Sequence, residues 1–105
     1  MTSDKLTKLF ALLDRQPADA FLLYGIGLEY KKLGDAVKAI EYLERTVGVD
    51  PAYCYAYFQK GQILEKSDDV AGARQAYNAG IAAAKQVGDA HALGELQGVL
   101  DALDD

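Results

Sequence analysis

The chain has 105 residues, half of them hydrophobic and only two of them proline, with a formal charge of −5. That composition excludes a disordered chain, and at this length about 65% of the unfolded surface can be buried, enough for one core without disulfide or metal staples. Residues 1–52 carry seven basic and eight acidic side chains and residues 53–105 carry four and eight, so the acidity gathers in the second half and argues against a nucleic acid or an anionic membrane as partner.

The opening stretch, MTSDKLTKLFALLDRQ, is broken by Asp4, Lys5 and Lys8 and has no apolar run of leader length. Apolar spacing predicts a first helix over 4–15. RQPADA then separates it from a second helix over 18–33, with Pro17 opening that element. Along the second helix Leu23, Ile26, Tyr30 and Leu33 recur at intervals of three, four and three. This traces one helical face. KLGDA stops the helix and starts the next: Gly34 suits a left-handed C-terminal conformation and Asp35 suits an N-cap. The third helix, over 36–48, carries Val37, Ile40, Leu43 and Val47 on one face.

VDPAY predicts Asp50 at an N-cap and Pro51 at the first helical position of a fourth helix over 52–66. Tyr53, Tyr55 and Tyr57 alternate there as in a strand, but Phe58 breaks the alternation. KSDDV repeats the stop and restart without a glycine and leads into a fifth helix over 69–86. Gly88 and Asp89 separate it from a sixth over 89–103, whose Leu93, Leu96, Val99, Leu100 and Leu103 make it amphipathic. No run of about 20 apolar residues predicts a membrane span.

An internal repeat decides between strand and helix. Leu23 aligns with Tyr57, Gly27 with Gly61, Asp35 with Asp69, Ala39 with Ala73 and Leu43 with Tyr77, always 34 residues apart. Gly27, Gly61, Ala39 and Ala73 allow paired helices to approach closely. Leu23, Tyr30, Leu43, Tyr57, Leu64 and Tyr77 are the expected core around them.

The unit with Leu23, Ile26, Gly27, Tyr30, Ala39, Leu43 and Pro51 resembles the tetratricopeptide repeat family. The second unit agrees at Gly61, Ala73 and Tyr77, with Lys60 at an apolar position and Lys85 where a proline usually ends the repeat. The resemblance implies an all-α fold of antiparallel helix-turn-helix repeats stacked in a right-handed superhelix. It divides a single 1–105 domain into an N-terminal half repeat (1–17), two repeats (20–53 and 54–87) and a C-terminal capping helix (88–105). It also implies a scaffold for protein contacts rather than an enzyme, with no cofactor.

In such a stack the first helices line a concave groove. Its expected residues are Phe21, Tyr24, Leu28 and Lys31 on one helix and Tyr55, Phe58 and Gln62 on the next. Tyrosine suits a contact surface, being apolar along its ring and polar at its tip. Exposed aromatic patches mark interaction sites, so the groove is expected to take a peptide or protein segment. Two other readings are a homodimer that satisfies its own groove, and a terminal helix folded over the rings. Some family members hold a terminal carboxylate in a Lys/Asn/Arg clamp. The corresponding positions here are Tyr24, Leu28 and Gln59, so an acidic C-terminal tail is not the expected ligand.

Nothing else in the chain points to chemistry. His91 is the sole histidine, Cys54 the sole cysteine, and neither has a metal-ligand spacing or a marked base. A single cysteine also excludes an internal disulfide, and with the missing leader it predicts a cytoplasmic setting. Glu41 with Glu44, and Asp68 with Asp69, are expected on solvated faces or in caps. The glycines sit singly in helices, not clustered as in a phosphate loop.

Overall fold

A computed structural model describes residues 3–104. Among them the regular structure is helical throughout: α1 (Asp4–Arg15), α2 (Ala20–Lys32), α3 (Ala36–Val49), α4 (Cys54–Lys66), α5 (Val70–Val87) and α6 (Ala90–Leu103). The helices form two compact units, α1–α3 in Met1–Asp50 and α4–α6 in Pro51–Asp105.

Short polar residues start most of these helices. The side chains of Ser3, Asp19, Asp35, Asp69 and Asp89 each accept a hydrogen bond from the backbone N–H three residues on. Each satisfies a donor that the first helical turn leaves unpaired. Helix α4 departs from the expected start. Its N-cap is Tyr53, without a side-chain cap bond, while Asp50 closes α3 by donating its N–H to the Thr46 carbonyl at 2.9 Å. Pro51 therefore lies in a turn before the helix, not at its first position. The cause is local: a residue preceding proline is pushed out of the helical region, and Asp50 sits at φ −132°, ψ 92°. Pro17 occupies the matching turn before Asp19.

The helix ends repeat one device. Gly34 takes φ +84° and donates to the Lys31 carbonyl, while Asp35 donates to the Tyr30 carbonyl at 2.9 Å. Asp68 and Asp69 reproduce this at the end of α4, with Asp68 at φ +64° and Asp69 bonded to Leu64 at 2.8 Å. Gly88 and Asp89 do so after α5, with Asp89 bonded to Ala84 at 2.9 Å. In each case a left-handed residue ends one helix, and the aspartate after it also caps the next.

The first unit is built on Leu6, Leu13, Leu22, Leu23 and Ile26, with Leu9, Phe10, Tyr30 and Tyr42 packed around them. Between α2 and α3, a Cβ placed on Gly27 would lie 3.0 Å from Leu43 and 3.3 Å from the Ala39 carbonyl. That is the close approach expected of the small residues. In the second unit a Cβ on Gly61 would lie 2.2 Å from the Tyr77 ring, which is fully buried. Tyr57 and Leu96 meet over Gly80 in the same way. Burying a side chain the size of leucine contributes about 1.5–3 kcal/mol, so these apolar seams dominate each unit's stability.

Candidate protein-interaction surface

Helix α2 brings Phe21, Tyr24, Leu28 and Lys31 onto one stripe, at intervals of three, four and three residues. The opposite side of the helix carries the buried Leu22, Leu23 and Ile26. Phe21 is 72% exposed, whereas Tyr24, Leu28 and Lys31 are half-buried. Beside the stripe, α1 approaches closely: Leu9 would lie 3.7 Å from a Cβ on Gly25. Lys5 of α1 also sits 3.8 Å from the buried carboxylate of Glu29. Neither contact covers the Phe21 ring.

Helix α4 carries the equivalent stripe as Tyr55, Phe58 and Gln62, all half-buried, followed by the exposed Glu65. These rings have partners within their own unit. Tyr55 meets Phe58 edge-on with centroids 6.2 Å apart, and Phe58 meets the buried Tyr77 at 6.3 Å. Both Tyr55 and Phe58 pack against the core that includes Ala92 and Leu96 of α6. The Tyr55 hydroxyl donates to Glu95 at 2.9 Å, and His91 Nε2 lies 2.6 Å from the same carboxylate oxygen. That hydrogen bond, with burial and the Glu95 charge, pushes the Tyr55 phenol up to about 12. Burial first, then the Glu65 carboxylate, raises Tyr77 as well.

The remaining sequence candidates have structural settings. Cys54 is buried and its thiol donates to the Ala52 carbonyl at 3.3 Å. Tyr57 donates its hydroxyl to the Pro51 carbonyl at 2.9 Å. Among the described residues, no group of three or more histidine, cysteine or acidic side chains could hold a metal ion. No helix among them is long and apolar enough to cross a membrane.

Two features lay outside the sequence reading. Glu95 anchors Tyr55 from 40 residues away, a pairing with no periodic signal. In the first unit Phe10, Tyr30 and Tyr42 form an aromatic cluster, with Tyr30 stacked on Tyr42 at 5.8 Å and the Arg45 guanidinium 4.8 Å from the Tyr42 ring. Tyr30 and Tyr42 fall on different helices, so no single-helix pattern connects them.

The tetratricopeptide repeat family matches at residues 22–53 and 55–87, which are the α2–α3 and α4–α5 pairs with their flanking turns. The chain belongs to the tetratricopeptide repeat (TPR) family. A TPR repeat-containing protein of Pseudomonas aeruginosa is 40% identical over 86 residues, 82% of each chain. A Bordetella parapertussis protein with a solution structure is 32% identical and covers 99% of this chain and 90% of its own, with a TM-score of 0.82. The TPR2B domain of yeast Sti1, in its complex with pHsp70, shares the fold at 18% identity and a TM-score of 0.87, covering 94% of this chain and 79% of its own. The all-α helical repeat expected from the 34-residue period is thereby shown.

Proposed function

We propose that this TPR protein is a non-catalytic interaction module that binds a segment of another protein through the aromatic stripes of its repeats' first helices. The residues assigned to binding are Phe21, Tyr24, Leu28 and Lys31 on α2, and Tyr55, Phe58 and Gln62 on α4. The observation that carries this reading is Phe21, a large aromatic side chain 72% exposed at the head of the α2 stripe. An isolated exposed ring needs no explanation, but this one continues into Tyr24 and Leu28 along the same face. The complex of the fold-related Sti1 domain is consistent with a protein partner. The buried thiol of Cys54, in a chain with no second cysteine for a disulfide, fits a reducing, cytoplasmic setting.

The test is affinity capture from the source cell's lysate with wild-type protein and with Phe21→Ser, whose exposed position leaves the fold intact. A Val70→Ser variant, also at an exposed apolar position, is the control. A partner retained by wild type and Val70→Ser but lost with Phe21→Ser supports the reading. Capture unchanged by Phe21→Ser removes the α2 stripe from binding. A wild-type homodimer that Phe21→Ser dissociates would replace the foreign partner with a second copy.

A further inference from the structure

Two exposed apolar side chains of the first unit lie on the same side of neighbouring helices. Leu9 is 3.7 Å from the place of a Cβ on Gly25, and Lys5 reaches Glu29, so α1 and α2 run antiparallel with Leu13 opposite Phe21 and Leu12 opposite Leu22. Leu13 and Leu22 turn inward and are buried. Leu12 and Phe21, each one residue earlier, fall on the outer side of the helix pair, where they are 52% and 72% exposed.

The charges on that side are basic. Lys8, Leu12 and Arg15 recur at intervals of four and three residues along α1, and all three are exposed. On α2 the stripe headed by Phe21 ends at Lys31, with the exposed Lys32 beside it. Arg15, Lys31 and Lys32 also suit the last turns of their helices, but Lys8 lies mid-helix, where the helix dipole favours no cation. Most carboxylates of the unit are placed elsewhere. Glu29 is buried beside Lys5, Asp19 and Asp35 cap helices, and Asp50 closes α3. Asp14 falls on the opposite side of α1 from Leu12, and Glu41 and Glu44 are exposed on α3. Asp4 stands at the start of α1, two turns from Leu12.

We propose that the segment bound along the α2 stripe is acidic and amphipathic, with apolar side chains seated on Phe21 and Leu12 and carboxylates facing Lys8, Arg15 and Lys32. This rests on the binding reading above, and adds to it the partner's chemistry and a second helix, α1. Charge complementarity selects the occupant, since a basic segment would meet cations along both edges of the stripe. An anionic bilayer would have to admit a chain of charge −5, and a stripe about 15 Å long suits a row of side chains better than a plane. The cations flank the stripe and form no clamp for a chain end, so the partner's acidic groups are side chains. Because the charges are exposed, they give selectivity and salt sensitivity more than affinity.

Selection of a phage-displayed library of random dodecapeptides on the immobilised full chain tests this, with Phe21→Ser selected in parallel. Peptides enriched on wild type but not on Phe21→Ser should carry an excess of Asp and Glu over the input library, interleaved with large apolar residues. As synthetic peptides they should bind about tenfold more weakly to Lys8→Glu/Arg15→Glu, and more weakly to wild type in high salt. Far-ultraviolet circular dichroism checks the folding of each variant. Phe21-dependent peptides with no acidic excess would overturn the proposal and leave the binding reading standing; no Phe21-dependent peptides would overturn both. Undiminished binding to a folded Lys8→Glu/Arg15→Glu variant would take α1 out of the surface and overturn it. So would flotation of wild type, but not Phe21→Ser, with vesicles of phosphatidylglycerol and phosphatidylcholine, which would give the surface to lipid. If the charge-reversal variant fails to fold, the composition and salt dependence of the selected peptides decide.

Discussion

The hydroxyl of Tyr55 on α4 donates to the carboxylate of Glu95 on α6 at 2.9 Å. Through this bond the last helix is tied to the first helix of the second repeat as well as to α5. The same Glu95 oxygen lies against His91 one turn earlier, so the carboxylate is held from two sides. Tyr55 therefore belongs both to the α4 stripe and to the packing of α6. A ligand reaching that stripe meets a ring whose orientation is already set.

This bond makes stability sensitive to alkaline pH. Tyr55 is pushed from 10.0 to about 12 in the fold, first by its bond to Glu95. A phenol whose pKa is higher folded than unfolded stabilises the fold fully below the unfolded value, and loses that contribution as pH rises through the folded one. Denaturant midpoints should therefore fall between pH 10 and 12, with Tyr77 adding to the fall because its pKa is raised too. Glu95→Gln should bring the Tyr55 ionisation down and shrink this pH dependence. Tyrosinate absorbance during an alkaline titration reads it directly; an unchanged late-titrating component in Glu95→Gln would contradict the assignment.

Asp68 offers a second prediction. It takes φ +64° at the position where the preceding repeat has Gly34 at φ +84°. A left-handed conformation costs an ordinary side chain about 1–2 kcal/mol, less for aspartate, and glycine nothing comparable. Asp68→Gly should leave the fold unchanged and raise stability by up to about 1 kcal/mol, a few degrees in Tm. Gly34→Ala should lower it by about 1–2 kcal/mol. Thermal melts of the two single variants, moving in opposite directions, are the check.

Much of this molecule was legible because its signals are periodic. The 34-residue recurrence of Leu23, Gly27, Asp35, Ala39 and Leu43 fixed which residues pair, and the glycines and alanines lie where helices touch. The turn at KSDDV was legible without glycine, since Asp68 performs the left-handed step. The start of α4 was misplaced because proline suits both a first helical position and a turn, and the choice depended on Asp50 already closing α3. The stripe residues on α2 and α4 followed from helical spacing. Their different surroundings did not: Tyr55 and Phe58 pack with α6 through contacts up to 40 residues apart, whereas Phe21 stands open.

The aspartates that join the helices each act twice, so their replacement should show in both neighbours. Asp35, Asp69 and Asp89 accept at the start of one helix through the side chain and donate at the end of the previous one through the backbone. Substitution by alanine removes only the side-chain part, at about 1 kcal/mol for each cap. Because the backbone N–H remains, the preceding helix should keep its end. Hydrogen exchange should quicken in the first turn of α3, α5 or α6 respectively, while the last turn of the preceding helix keeps its protection. Equal loss at both would show that the side chain, not the backbone, holds the turn.

Glycines of the same chain should respond to alanine in opposite directions, according to what faces them. At Gly61 the added Cβ would lie 2.2 Å from Tyr77, whose ring is fully buried and cannot swing aside without disturbing Phe58. Gly61→Ala should therefore destabilise by about 1–3 kcal/mol, the usual cost of overpacking a filled core. At Gly27 the nearest neighbours, Leu43 at 3.0 Å and the Ala39 carbonyl at 3.3 Å, need to give way by only a few tenths of an ångström, so the same change should cost less. Gly48 and Gly98 are helical and have nothing within 4 Å of the added atom. There alanine removes the entropic penalty of glycine in a helix and should stabilise by about 0.5–1 kcal/mol. Urea denaturation of the four variants orders them: Gly61→Ala lowest, Gly27→Ala next, then Gly48→Ala and Gly98→Ala above wild type. If Gly61→Ala were as stable as wild type, the close contact with Tyr77 would not be what sets the helix spacing in the second repeat.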